Sequence, residues 1–215
     1  MLKKYTTIVW DLDGTLMNTL QDLWLSVNHA LRECGQPEHT YEEIRQYVGN
    51  GVRRLIERAV PNGVDNPRFD DVFEEFKRYY MVHCQDNTGL FQGIAEVLQE
   101  LKKQGKRMAI VSNKWQDGVD ELYRDWFKDT IEVAIGEREG IARKPAPDMV
   151  ELALRELGVG KEGAVYIGDS DVDLMTARNS GLPCISVLWG FRDKDFLLQH
   201  GATTFATTPA DLVSD

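Results

Sequence analysis

The sequence is short of most of what would tie a chain to an oxidising compartment, a membrane or a nucleic acid. Cysteine is scarce. Cys34, Cys84 and Cys184 are the only 3 among 215 residues. They have no paired spacing, which suits reduced thiols in a cytoplasmic protein and argues against a disulfide framework. His83 and Cys84 are neighbours, but with no second ligand pair nearby helix packing explains them better than a metal does. Long apolar runs are missing too. Lys3 and Lys4 precede a hydrophobic stretch that already ends at Asp11, too short for a signal peptide or a membrane span. Basic residues are in deficit, with Lys+Arg 25 against Asp+Glu 35 and a net charge of -10. That balance argues against nucleic acid or anionic membrane as a partner, but leaves room for a small anionic ligand met by local positive charge.

What is present is enough for a core. Hydrophobic residues make up 42% of the chain, and its length fits one large domain or a domain with a modest second lobe. Apolar, β-branched runs of strand length recur at 7–10, 108–111, 131–135, 164–167 and 184–188. They lack strict alternation, as strands buried on both faces of a parallel sheet do. Between the later runs lie helical stripes. Ile94, Val97, Leu98 and Leu101 form one, closed by Gly105; Met149, Leu152, Ala153 and Leu157 form another, with Pro147 near its start and Gly158 at its end. The alternation predicts an α/β fold with a doubly wound parallel sheet.

One interval is too long for a crossover. Between Leu16 and Met108 the segments 18–34, 41–48, 51–60 and 68–85 all read as helices, separated by "GQPEHT", "GN" and "PNGVDNP". Asn18 or Thr19 is placed to cap the first and Gly35 to end it. The simplest organisation is a core of 1–16 and 88–215 with a helical lobe, 17–87, inserted after the first strand.

Polar clusters close three of the strand candidates: "DLDGT" after the first, "SNK" after the second and "GDSDVD" after the fourth. Open α/β sheets bind ligands outside the carboxyl ends of their strands, so the three clusters are expected to face one crevice. Asp11, Asp13 and Asp169 offer hard oxygen ligands, which suit Mg²⁺ better than zinc or copper. Ser112 and the amides after it can donate to phosphate oxygens, and Lys144 in "ARKPAPD" can bring a compact positive charge. Taken singly, an Asp-x-Asp reads as a solvated turn, a Ser-Asn as a helix cap, and Asp171 as a cap of the helix that starts near Val172. Their order and their placing at strand ends make a common site the better reading.

Together, "DLDGTL", "VSNK", "RKPAPD" and "GDSDVD" resemble the four motifs of the haloacid dehalogenase-like hydrolase superfamily. The inserted lobe resembles the helical-cap subclass on a Rossmann-like core, and "NTLQDLWLSVNHAL" and "YVGNGVRRLIERA" are similar to phosphoglycolate phosphatase-like members. The resemblance implies a Mg²⁺-dependent phosphatase that hydrolyses a small phosphate monoester through an aspartyl-phosphate on Asp11. Asp13 would be general acid and then base. Asp11, the Asp13 carbonyl and Asp169 would hold the metal; Ser112, Asn113 and Lys144 would bind the phosphoryl group; Asp173 would orient Lys144 or a metal-bound water.

Dehalogenase-like members lack the second aspartate, so Asp13 favours phosphoryl transfer. A phosphonate-cleaving relative would need a cap lysine, and the lobe holds only Lys77, read as part of a solvated helix face. A sugar-phosphate mutase or a pyrophosphatase on the same core stays open. A non-catalytic binding protein would be expected to lack Asp11, Asp13, Lys144 or Asp169, and none is missing. Arg53 and Arg54 in "GNGVRR" are either a contact to the far end of the substrate or ordinary surface residues. Monomer and homodimer are equally compatible with the sequence.

Overall fold

The computed structural model describes residues 1–214. The chain opens with strand β1 (Thr7–Trp10), then a short β2 (Met17–Asn18) and four helices, α1 (Leu20–Glu33), α2 (Tyr41–Tyr47), α3 (Val52–Ala59) and α4 (Phe69–His83). After β3 (Gly89–Leu90), helix and strand alternate as α5 (Ile94–Lys103), β4 (Arg107–Trp115), α6 (Gln116–Leu122) and β5 (Val133–Glu137). The series continues with α7 (Asp148–Leu157), β6 (Ala164–Gly168), α8 (Asp171–Ser180) and β7 (Cys184–Val187). Short elements α9 (Lys194–Gln199), β8 (Phe205–Ala206) and α10 (Ala210–Val213) follow. Internal packing divides the chain into two units, one of Met1–Leu16 with the chain from Leu90 onward, the other Met17–Gly89.

The first unit is built on a sheet in the order β5-β4-β1-β6-β7-β8, and every pairing is parallel. All four residues of β1 are buried, as a central strand covered by helices on both faces requires. On one face Val9, Ala109, Val111, Ile135 and Tyr166 pack with Met149, Ala153 and Leu157 of α7. Each valine, isoleucine, leucine or methionine among them contributes about 1.5–3 kcal/mol by leaving water. Helix α7 stops where Gly158 takes φ 70°, a left-handed cap. The chain winds to one side of β1 through β4 and β5 and to the other through β6 to β8, which makes β1 the point where the winding reverses.

Three details differ from the apolar runs. Strand β4 continues to Trp115 rather than ending at Val111, because its pairing with β5 resumes after a register irregularity. Strand β5 starts at Val133, since the Ile131 amide donates back to the Phe127 carbonyl at 2.9 Å and closes the preceding turn. Strand β8 has two residues, too few to leave a pattern.

Within the second unit α1 and α4 pack along one another in opposite directions. Asp22 at the start of α1 accepts from the Asn87 amide at 3.0 Å and Nδ2 at 2.8 Å, just past α4. About two turns farther on, His29 Nε2 meets Glu75 Oε1 at 2.9 Å. Thr40 and Glu43 form a capping box at the start of α2. Asn18 Oδ1 accepts from the Leu20 amide at 3.4 Å, while Thr19 occupies the cap position without a side-chain bond. The Arg53 guanidinium lies over the rings of Phe69 and Phe73, 5.1 and 5.5 Å from their centroids. Arg54 pairs with Glu57, and Lys77 with Glu74 at 2.8 Å, both on exposed faces.

Candidate active site

The register of the central strands decides which side chains meet. Trp10 is level with Ile110 on β4 and Ile167 on β6. The next residue, Asp11, therefore emerges between the carboxyl ends of both neighbours, and its amide donates to Ile167 O at 2.8 Å. Asp11, Asp169 and Asp173 are buried there, each presenting a carboxylate oxygen within 4.8 Å of the others. Lys144, from the loop before α7, reaches into the middle. Its ammonium donates to Asp11 Oδ1 at 2.6 Å, Asp173 Oδ1 at 2.8 Å and the Tyr166 hydroxyl at 3.0 Å.

Three carboxylates around one ammonium make an unbalanced cluster. Burial, then the charge on Asp173, pushes the Asp11 carboxyl well up, against the pull of Lys144. Burial and Asp173 also push Asp169 up to about 7. Burial works against the charged form of Lys144, but Asp11 and Asp173 outweigh it and hold its pKa well above the ordinary lysine value. Lys144 is thus a permanent cation, and the carboxylates remain short of positive charge.

The polar end of β4 lies beside this cluster. Ser112 Oγ stands 3.4 Å from Asp13 Oδ2 and accepts from the Lys114 amide at 3.1 Å. Asn113 turns away and donates from Nδ2 to the Lys144 carbonyl at 3.2 Å, which ties the lysine loop to β4. The structure therefore brings Asp11, Asp13, Ser112, Asn113, Lys144, Asp169 and Asp173 to one end of one sheet. Asp171 is not the cap of α8. Ser170 is, and its hydroxyl meets Asp173 Oδ2 at 2.6 Å while the Ser170 amide donates to the same oxygen. Both oxygens of Asp173 are thereby engaged, one by Lys144 and Tyr166, the other by Ser170.

Several supporting residues lay outside the motifs. The Phe191 amide donates to Asp169 Oδ2 at 2.6 Å, and Trp189 Nε1 holds the Thr15 carbonyl at 2.9 Å. Gly190 between them has no room for a Cβ, which would strike the Asp169 side chain and the Gly14 carbonyl. Gly14, at φ 92°, is equally confined, since a Cβ there would strike Asp169 Oδ2. The segment 189–191 follows β7, so the strand-end rule that found the other clusters reaches it too. Tyr166 carried a fainter signal, one hydroxyl in the apolar run before "GDSDVD".

The sequence matches the family model described as haloacid dehalogenase-like hydrolase over residues 8–187. A phosphoglycolate phosphatase of Pseudomonas putida is 30% identical, over 97% of this chain and 76% of that protein. One of Rhodobacter capsulatus is 32% identical, over 86% of this chain and 85% of its own length. Among solved structures, a protein of Lactobacillus delbrueckii subsp. bulgaricus, named provisionally as a phosphoglycolate phosphatase, superposes with a TM-score of 0.93 at 37% identity and 97% coverage of both chains. CbbY of Rhodobacter sphaeroides, solved with phosphate, gives 0.76 at 27% identity, covering 97% of this chain and 96% of that one.

Proposed function

The chain belongs to the haloacid dehalogenase-like hydrolase family and is a phosphatase; from that premise we propose that it hydrolyses a small phosphate monoester resembling phosphoglycolate, with Mg²⁺, through an aspartyl-phosphate on Asp11. The observation that carries this reading is the buried cluster of Asp11, Lys144 and Asp169 at the carboxyl end of β1 and its neighbours. The named activity of the Pseudomonas putida and Rhodobacter capsulatus relatives supports the substrate class. The catalytic core would be 1–16 with 88–215, and 17–87 the helical cap. No described helix is long and apolar enough to cross a membrane. The scarcity of cysteine suits a cytoplasmic enzyme.

The residues fit a hard dication. Buried carboxylates outnumber the ammonium beside them, and their oxygens are unequally used. Asp173 is fully engaged by Lys144, Tyr166 and Ser170. Among the described residues, Asp11 Oδ2 has only the Thr15 hydroxyl, at 3.5 Å. Asp11 and Asp169, with the Asp13 carbonyl, would therefore hold the ion, and Asp173 would position Lys144. When bound, Mg²⁺ would supply charge neutralisation between the carboxylates and the phosphoryl oxygens.

In this mechanism a carboxylate oxygen of Asp11 attacks phosphorus as the ester bond breaks. Asp13 gives its proton to the departing alkoxide. Asp13 then takes a proton from water, whose oxygen attacks phosphorus and returns Asp11 as a free carboxylate with release of inorganic phosphate. Lys144, Ser112 and the Asn113 amide hold the phosphoryl oxygens through both halves, so charge is met by groups already in place. The test is phosphate release from a panel of phosphoglycolate, pyrophosphate, nucleotides and hexose phosphates, with Mg²⁺, with chelator, and with Asp11→Asn. Metal-dependent release that Asp11→Asn abolishes, fastest with phosphoglycolate, is the expected result. Well-folded protein that releases nothing from any of them would refute the reading.

A further inference from the structure

One buried charge in the first unit has no part in that mechanism. Lys114, near the end of β4, is 7% exposed, and its ammonium stands 3.8 Å from Asp13 Oδ1. Taking a lysine out of water is costly unless a negative group meets it. Space is kept for this one, because a Cβ on Gly118 in α6 would come within 3.2 Å of Lys114 Cε. Asp13 is flanked on both sides by residues of β4, with Ser112 Oγ beside Oδ2 and Lys114 beside Oδ1. Oδ1 is buried yet accepts no hydrogen bond from the described residues. A buried carboxylate oxygen without a donor calls for an explanation, and a donor carried by the substrate would supply one.

Asp13 is assigned the proton transfer to the leaving oxygen. A leaving oxygen bonded to Oδ1 lies beside the Lys114 ammonium, so an anionic group on the carbon that bears that oxygen is within its reach. We propose that Lys114 is a specificity residue that binds a carboxylate of the leaving group, so that the preferred substrates are phosphate esters of short 2-hydroxy acids. This rests on the phosphatase assignment and deepens it, placing part of the substrate choice on β4. An ammonium is suited to the task, since a carboxylate-to-ammonium hydrogen bond is charge-assisted and a neutral leaving group gains nothing from it.

The experiment compares 2-phosphoglycolate with ethyl phosphate, which has the same two carbons and no carboxylate, in the wild type, Lys114→Met and Lys114→Arg. In the wild type kcat/KM favours phosphoglycolate. In Lys114→Met that preference falls by about tenfold or more, mainly through KM, and Lys114→Arg restores part of it. Inhibition by glycolate weakens in parallel in Lys114→Met. Equal losses on both substrates would overturn the inference, because Lys114 would then serve Asp13 or the fold alone. An unchanged preference would overturn it too. So would a wild type that cleaves ethyl phosphate as well as phosphoglycolate, which leaves the phosphatase assignment standing. A wild type inert toward both that still releases phosphate from another member of the panel overturns this inference and leaves the phosphatase assignment standing. One inert toward the whole panel removes both. The wild-type ratio and Lys114→Arg keep the test decisive if methionine is not accommodated.

Discussion

The two units hold their charged residues in different ways. In the helical unit, Arg54 and Glu57, and Lys77 and Glu74, pair three residues apart along helices on faces open to water. Such pairs are worth about 0–1 kcal/mol, and salt screens them. In the first unit Asp11, Lys144, Asp169 and Asp173 are almost wholly buried and share one small volume. Burying like charges together opposes folding, so the cluster is explained by what it binds. Surface pairs give the helices solubility and small increments of stability. The core charges are the ones to which the proposed chemistry is assigned.

Substitutions should separate the two. The largest effect is expected from Asp11→Asn, which keeps shape and removes the proposed nucleophile. We expect turnover to fall roughly ten-thousandfold with little change in melting temperature, read by phosphate release and calorimetry. Gly190→Ala comes next. Its new methyl strikes Asp169 and the Gly14 carbonyl, so a loss of about 1–3 kcal/mol in denaturant stability is expected, with weaker Mg²⁺ binding. Unimpaired metal binding in that variant would show that the segment 189–191 does not position Asp169.

The helical unit has its own buried carboxylate, and it tests the comparison from the other side. Asp22→Ala strands the Asn87 amide and should cost about 1–3 kcal/mol of stability without weakening Mg²⁺ binding. The metal supplies a fourth prediction. With Asp169 raised to about 7, the metal-free fold binds a proton that the unfolded chain releases near pH 4. Its contribution to stability is therefore present at low pH and lost as pH rises through about 7. Mg²⁺, competing with that proton, should raise the melting temperature more at about pH 8 than at about pH 6. An equal rise at both would contradict the assignment of Asp169 as a ligand. The smallest effect belongs to the surface, where Lys77→Ala should change stability by no more than about 0.5 kcal/mol.

The parts of this that the sequence shows are those with a local physical signature. Apolar runs without alternation announce a parallel sheet, and polar residues at their ends announce where it binds. That logic reached Asp11, Ser112 and Asp169 from their own neighbours. Lys144 comes from a loop, and only the fold shows that its ammonium lands between Asp11 and Asp173. The bonds of Asp22 to Asn87 join residues sixty-five positions apart, beyond any periodicity. Likewise, the extension of β4 to Trp115 depends on pairing with β5 across an irregular register, which the run at 108–111 does not record. Lys114 was visible as a letter in "SNK", but its closeness to Asp13 exists only once β1 and β4 are paired.

The central claim is that the buried cluster is a covalent phosphoryl-transfer site, and trapping the intermediate tests it most directly. Wild-type enzyme turning over phosphoglycolate with Mg²⁺ would be quenched rapidly in acid and digested, and its peptides weighed. The account predicts one added phosphoryl group on the peptide carrying Asp11, absent from Asp11→Asn and from enzyme without substrate. Steady turnover with no such adduct at any quench time, or an adduct on a different residue, would contradict it.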